Sequence, residues 1–126
     1  MLIGPFRPQG PPQSITAATS APTALQALDN TGVTGGSSNS YLVTNEGSAL
    51  VFLIVGPTAA ACATAAATGL PTAGSQTALT AYPAGVWLVP LMGPTQVTLC
   101  GQPGMFFTGL TRTGTAVVDV VPGEGI

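Results

Sequence analysis

The sequence predicts an all-β fold, an antiparallel β-sandwich or barrel, on three observations. Apolar runs of six or seven residues recur from Ser40 to Val121 at intervals of about ten residues. Gly- and Pro-containing turns separate them, and no segment opens with a helix-capping box followed by an amphipathic stripe. A chain of 126 residues is long enough for one domain with its own core.

Taken in order, "GPFRPQGPPQ" (Gly4 to Gln13) holds four prolines and cannot enter a sheet interior, because proline has no N–H to give a ladder. Residues 1–13 are therefore expected to be an extended Pro-rich arm, and 14–126 the single β domain. The arm is either a plain tail or a segment that reaches onto a neighbour, with Phe6 as apolar anchor and Arg7 as its cation; stiff prolines lose little entropy on docking. "NTGVTGGSSN" (Asn30 to Asn39) has loop composition. "SYLVTN" (Ser40 to Asn45) leads through Glu46-Gly47-Ser48 into "ALVFLIV" (Ala49 to Val55), which reads as a hairpin. "TAAACATAAA" (Thr58 to Ala67) is read as an extended strand of small side chains, since it shows neither a capping box nor a polar face. "GVWLVPL" (Gly85 to Leu91) is a strand whose Pro90 puts it at a sheet edge. "TQVTLC" (Thr95 to Cys100) alternates, with Val97 and Leu99 on one face and Gln96 and Thr98 on the other. Pro103-Gly104 supplies a turn, "MFFTGL" (Met105 to Leu110) and "TAVVDVV" (Thr115 to Val121) complete the series, and "PGEGI" is a turn-rich end.

Charge sets this chain apart. Hydrophobic residues make up an ordinary 45%, but charged ones only 5%, where about 25% is usual. Asp29, Glu46, Asp119 and Glu124 stand against Arg7 and Arg112, and between Glu46 and Arg112 no residue is ionic. Such surfaces repel one another weakly and favour association, which suits a component of an assembly. "ALVFLIVGPTAAACATAAATGLP" (Ala49 to Pro71) approaches the length of a membrane span, but Gly56-Pro57 interrupts it and no basic cluster flanks it, so it reads as core. The N-terminus lacks the basic start and apolar run of a secretory signal.

The same composition excludes most chemistry. Without His or Lys there is no imidazole base and no Schiff-base amine. None of the serines sits in a Gly-x-Ser-x-Gly elbow. The carboxylates are scattered; Asp119 is expected to meet Arg112 or solvent rather than to pair with Glu46 as a glycosidase would require. Cys62 and Cys100 form no CxxC motif and read as small buried hydrophobes in strands, with a disulfide as the alternative. No GxxxxGK loop is present, and two arginines cannot make a phosphate-binding patch. The expectation is a non-enzymatic protein with no catalytic residue, cofactor, metal, nucleic acid or membrane partner.

"LPTAGSQTALTAYPAGVWLVPLMGPTQVTLCGQPG" (Leu70 to Gly104) resembles small virion proteins of tailed bacteriophages, through Pro71, Gly74 and Ser75, then Val86 to Leu91, then Thr95 to Gly104. "SYLVTNEGSALVFLIVG" (Ser40 to Gly56) fits the earlier part of the pattern, and about two thirds of the chain is covered. The resemblance implies a head decoration, or cement, protein: a jelly-roll-like β-sandwich that sits on the capsid exterior after assembly in the host cytoplasm. It would bridge major capsid subunits and associate with itself as a dimer or trimer. Phe6, Arg7, Tyr41, Tyr82 and Trp87 are then the candidate interface anchors, each weighed against plain core packing, with Trp87 as readily core as interface. Two alternatives stay open: another virion part (tail, fibre-base or head spike), and an ice-binding or surface-active β protein, for which Thr58, Thr64 and Thr68 are too irregularly spaced.

Overall fold

A computed structural model describes residues 7–8, 11–27, 40–70, 82–100 and 104–124, with the side chains of Arg7, Pro8 and Glu124 left aside. Phe6, the expected loop from Asn30 to Asn39 and the Pro71–Gly74–Ser75 stretch lie outside the described residues. The elements are β1 (Arg7–Pro8), β2 (Gln13–Ala17), β3 (Leu25–Gln26), β4 (Ser40–Asn45), β5 (Val51–Gly56), α1 (Ala59–Thr68), β6 (Trp87–Leu91), β7 (Thr95–Cys100), β8 (Phe106–Thr111) and β9 (Ala116–Glu124). They form two antiparallel sheets. Sheet one runs β2-β9-β4-β7, with β1 continuing the line of β2 along the same side of β9; sheet two runs β3-β8-β5-β6.

The core lies between the sheets. Ile15, Ala17, Tyr41, Val43, Val118 and Val120 point into it from sheet one, and Val51, Leu53, Val55, Leu91 and Phe107 from sheet two. The period-two alternation of β4, β7 and β9 follows directly, since every second side chain must leave that core. In β7 the sides come out as read from sequence: Val97 and Leu99 pack against the core while Gln96 and Thr98 are exposed. β6 stands at the edge of sheet two with Pro90 exposed, as its proline requires.

Three expectations are corrected. Ala59–Thr68 is an α-helix, not a strand. Thr58 caps it, its Oγ1 accepting from the Ala61 N–H at 3.1 Å, and the N–H of Gly69 (φ 80°) donates to the Ala65 carbonyl at 3.1 Å. Alanine's helix propensity decides the local conformation, and an all-Ala/Thr helix has no polar stripe to announce itself. It buries Cys62 and Ala65 against Ile54 and Leu110 of sheet two. Close approach is possible because Gly56 carries no side chain: a Cβ there would stand 3.1 Å from the Cys62 Sγ and 3.0 Å from Val86.

The second correction concerns the supposed hairpin. β4 pairs with β9 and β7, while β5 pairs with β8 and β6, so Glu46 to Leu50 crosses between the sheets instead of turning back within one. Asn45, wholly buried, fixes the crossing: its Nδ2 donates to the carbonyls of Ala49 (2.9 Å) and Leu91 (3.1 Å), and its Oδ1 accepts from the Gly47 N–H (3.0 Å). The second crossing on this side, Met92 to Pro94 with a cis Gly93–Pro94 bond, packs on the first so closely that a Cβ on Gly93 would clash with the Gly47 carbonyl oxygen. The third correction is the C-terminus, where β9 continues through Pro122 to Glu124, opposite β4 and β1, rather than ending in turns.

Candidate interaction surfaces

The outer faces of the two sheets differ. Sheet two is partly roofed by α1, whose side chains cover Ile54, Leu88 and Phe106. Farther along, the Arg112 guanidinium lies over the Phe52 ring, 5.4 Å from its centroid. Sheet one has no helix on its outer face among the described residues. Instead one residue from each strand, Ser14 (β2), Asp119 (β9), Thr44 (β4) and Gln96 (β7), forms a lateral row set by strand register. Ser14 Oγ donates to Asp119 Oδ1, and Gln96 Nε2 donates to Thr44 Oγ1 at 3.1 Å. The adjacent row is Val121, Leu42 and Thr98, half-buried to exposed. Of the residues in these two rows of the outer face, Asp119 alone is ionic.

Its one electrostatic feature corrects an expectation. Asp119 does not meet Arg112, because the two lie on opposite sheets; it meets Glu46. The Asp119 side chain hydrogen-bonds Glu46, and its charge repels a second one, so the Glu46 carboxyl is held above the usual 4.5. Glu46 is exposed and Asp119 half-buried on the open face of sheet one. Among the described residues no group of three or more His, Cys, Asp or Glu could hold a metal ion, and no helix is long and apolar enough to cross a membrane.

The anchors proposed from sequence scatter. Tyr41 is a core residue, 2% exposed, because it shares the inward parity of Val43 in β4; it is therefore not a surface anchor. Tyr82 is half-buried against α1, and its hydroxyl donates to the Gly69 carbonyl at 2.8 Å, closing the helix C-terminus. Trp87 is 45% exposed. Arg7 pairs through its backbone with Glu124, which puts this part of the arm along the sheet edge of its own chain. Both cysteines are free; Cys62 is buried in α1, where desolvation pushes its thiol up, whereas Cys100 is exposed on β7, which corrects its assignment to the core. Sequence reading missed Met92, 73% exposed in the turn between β6 and β7, although an apolar residue before Gly-Pro was a visible signal.

Three concavities accompany these surfaces. One of about 630 Å³ lies between α1 and residues 19–24, and is lined by small side chains such as Ala59, Ala63 and Ala67. A second, about 520 Å³, opens at one end of the sandwich, where Val55, Pro57, Trp87 and Met105 form its walls. The third, about 290 Å³, joins Leu70 and Arg112. None gathers the convergent polar groups of a catalytic or cofactor site. Comparison with protein-family models, with curated proteins and with solved structures finds no match to this chain.

Proposed function

We propose that this chain is a non-enzymatic virion structural protein that decorates a bacteriophage capsid from outside, bridging major capsid subunits and binding copies of itself. The observation that carries this reading is a β-sandwich whose sheet-one outer face has no helix over it among the described residues and presents Ser14, Thr44, Gln96 and Thr98, with the Asp119–Glu46 pair as its described charge. Such a face favours close, repetitive contact over electrostatic capture. We read the sandwich as a jelly roll; the strand orders β2-β9-β4-β7 and β3-β8-β5-β6, with the chain passing between sheets at every step from β2 to β9 except β5 to β6, support it. Binding only to the assembled lattice would stabilise that lattice by mass action. The Pro-rich start would add a second contact: Arg7 and Pro8 run along β9, and the proline content up to Pro12, with Phe6 beside Arg7 in sequence, suits a stiff segment reaching into a groove between neighbouring subunits. The ice-binding alternative loses ground, since Thr58, Thr64 and Thr68 fall on α1 and its cap rather than on a flat ladder.

The test is co-sedimentation with capsids of the encoding phage that lack this protein, followed by heating. Full-length protein is expected to bind at a fixed ratio to the major capsid protein and to raise the temperature at which the shell ruptures. Deleting residues 1–12 is expected to leave the sandwich folded and to weaken attachment, with Phe6→Ala more damaging than Arg7→Ala. Absence of binding, with the protein found at tail copy number in purified virions, would move it to the tail or fibre base.

A further inference from the structure

The described sandwich has two strand edges on each side. On one side stand the β1/β2 line and β3; on the other stand β6 and β7. The first side is laced shut by the chain itself. After β2, Ala18 bridges to Leu110 of sheet two, the Thr111 N–H donates to the Ala18 carbonyl at 2.9 Å, and Thr108 Oγ1 donates to the Pro22 carbonyl at 2.7 Å. Pro8 interrupts β1, Pro11 and Pro12 precede β2, and β3 has only two residues. On the other side Pro90 blunts β6. These are the ordinary defences of a sheet edge against further pairing. β7 has none of them: six residues in unbroken register with β4, no proline, no ionic side chain and no bulge.

We infer that β7 is the docking strand for a second copy of this chain, paired antiparallel to its equivalent across a twofold axis, so that sheet one continues from one protomer into the next. Three observations select a copy of itself as the occupant. First, no ionic residue occurs between Glu46 and Arg112, a span containing β5, β6, β7 and β8. Two such edges neither repel each other nor desolvate a charge on meeting, and a charged partner would find no counter-ion. Second, twofold antiparallel pairing sets each residue opposite one of the same face, and in β7 that matches apolar with apolar on the core side. With Thr98 on the axis, Val97 faces Leu99 and Gln96 faces Cys100, so core-facing residues meet core-facing residues and exposed ones meet exposed ones. Placing Val97 on the axis would instead set Leu99 against Thr95, a poorer apolar match. Third, Trp87 and Met92, 45% and 73% exposed, mark opposite ends of β6 beside this edge. The twofold operation brings Met92 toward the partner's Trp87, a sulfur–aromatic pairing made once from each side.

This deepens the self-association in the reading above but involves no capsid, so its failure and that of capsid attachment are read separately. The experiment is sedimentation velocity of the purified full chain from micromolar to several hundred micromolar, expected to show a monomer–dimer equilibrium. Thr98→Lys, on the exposed face, puts two cations opposite each other and is expected to weaken the dimer roughly tenfold. Thr16→Lys, exposed on β2 at the far edge, is expected to leave it unchanged; circular dichroism checks that both fold. A second readout stands if Thr98→Lys fails to fold: Thr98→Cys in a Cys100→Ser background is expected to give a disulfide-linked dimer on mild oxidation, and Thr16→Cys in the same background is not. A chain that stays monomeric throughout, a trimer, a dimer equally tight in both lysine variants, or failure of Thr98→Cys to cross-link would overturn the inference.

Discussion

Strands β4 and β5 are each central in their sheets and each six residues long, yet they live in different environments. β5 is closed on both faces: Val51, Leu53 and Val55 enter the core between the sheets, while Ile54, on the opposite parity, is wholly buried beneath α1. β4 buries Tyr41, Val43 and Asn45 and leaves Leu42 and Thr44 only half-covered on the open face. The sequences record this. "VFLIVG" is continuously apolar, as a strand with layers on both sides must be, and "SYLVTN" alternates, as a strand with one wet face must. The lesson is that the periodicity of an apolar run reports how many layers cover a strand, and that the uncovered layer is where a binding surface belongs.

The comparison breaks most visibly at paired positions. Ile54→Ala is expected to cost about 2–5 kcal/mol in denaturant unfolding, because it opens a cavity between sheet and helix. Leu42→Ala, at a half-buried site on sheet one, is expected to cost about 1 kcal/mol. Equal costs would mean that the outer face of sheet one is covered in solution.

Next in size come the crossings that join the two environments. Asn45→Ala strands the carbonyls of Ala49 and Leu91 and the N–H of Gly47, for an expected loss of about 2–3 kcal/mol. Gly93→Ala forces a methyl onto the Gly47 carbonyl and is expected to cost about 1–3 kcal/mol. Both are read from thermal or denaturant melts. A loss seen for Asn45→Ala but not for Gly93→Ala would show that the second crossing can shift where the first cannot.

The roof over β5 is tested more gently by Thr58→Ala. Removing the cap is expected to cost about 1 kcal/mol and to reduce the helical signal without disturbing sheet one. A larger loss would make the helix part of the same cooperative unit as the sheets.

The smallest effect belongs to the open face. Because Asp119 raises the Glu46 carboxyl above its ordinary 4.5, the folded chain holds more protons there than the unfolded one. That contribution to stability is fully present below 4.5 and is lost as pH rises through the folded-state value. Glu46→Gln is therefore expected to flatten a shallow decline in melting temperature on going from acid to neutral pH, and added salt to do the same, since both groups meet solvent. A melting temperature that rises in that window, or is identical in the variant, would show that the two carboxylates do not face each other.

Most strands after Ser40 were legible because burial on one side imposes a period of two, and turns require Gly and Pro at fixed places. In β7 the faces of Val97, Leu99, Gln96 and Thr98 came out as read, though Cys100 did not, and Pro90 marked β6 as an edge strand. Sequence reading failed at Ala59–Thr68, where Ala and Thr fit either a strand or a helix with no stripe, so the contact with Ile54 and Leu110 was invisible. It failed again at Glu46 to Leu50, whose turn chemistry serves a hairpin and an inter-sheet crossing equally; the buried amide of Asn45, whose bonds to Ala49 and Leu91 exist only in the folded chain, made the difference. The candidate site was less legible still. Tyr41 and Trp87 are both aromatic residues in apolar strands, and only parity and position relative to the sheet edge put one inside and the other out.

By itself the sequence determined the β class, the position of most strands after Ser40 and the near absence of charge, because each is a local or compositional property: periodicity, turn residues and a count of ionisable side chains. The tertiary structure alone decided which strands pair, that Glu46 meets Asp119 rather than Arg112 meeting it, and that β7 pairs on one side only among the described strands while the other edges are blunted. Those depend on contacts between residues far apart in the chain, where the free energy of burying one sheet against another outweighs every local preference.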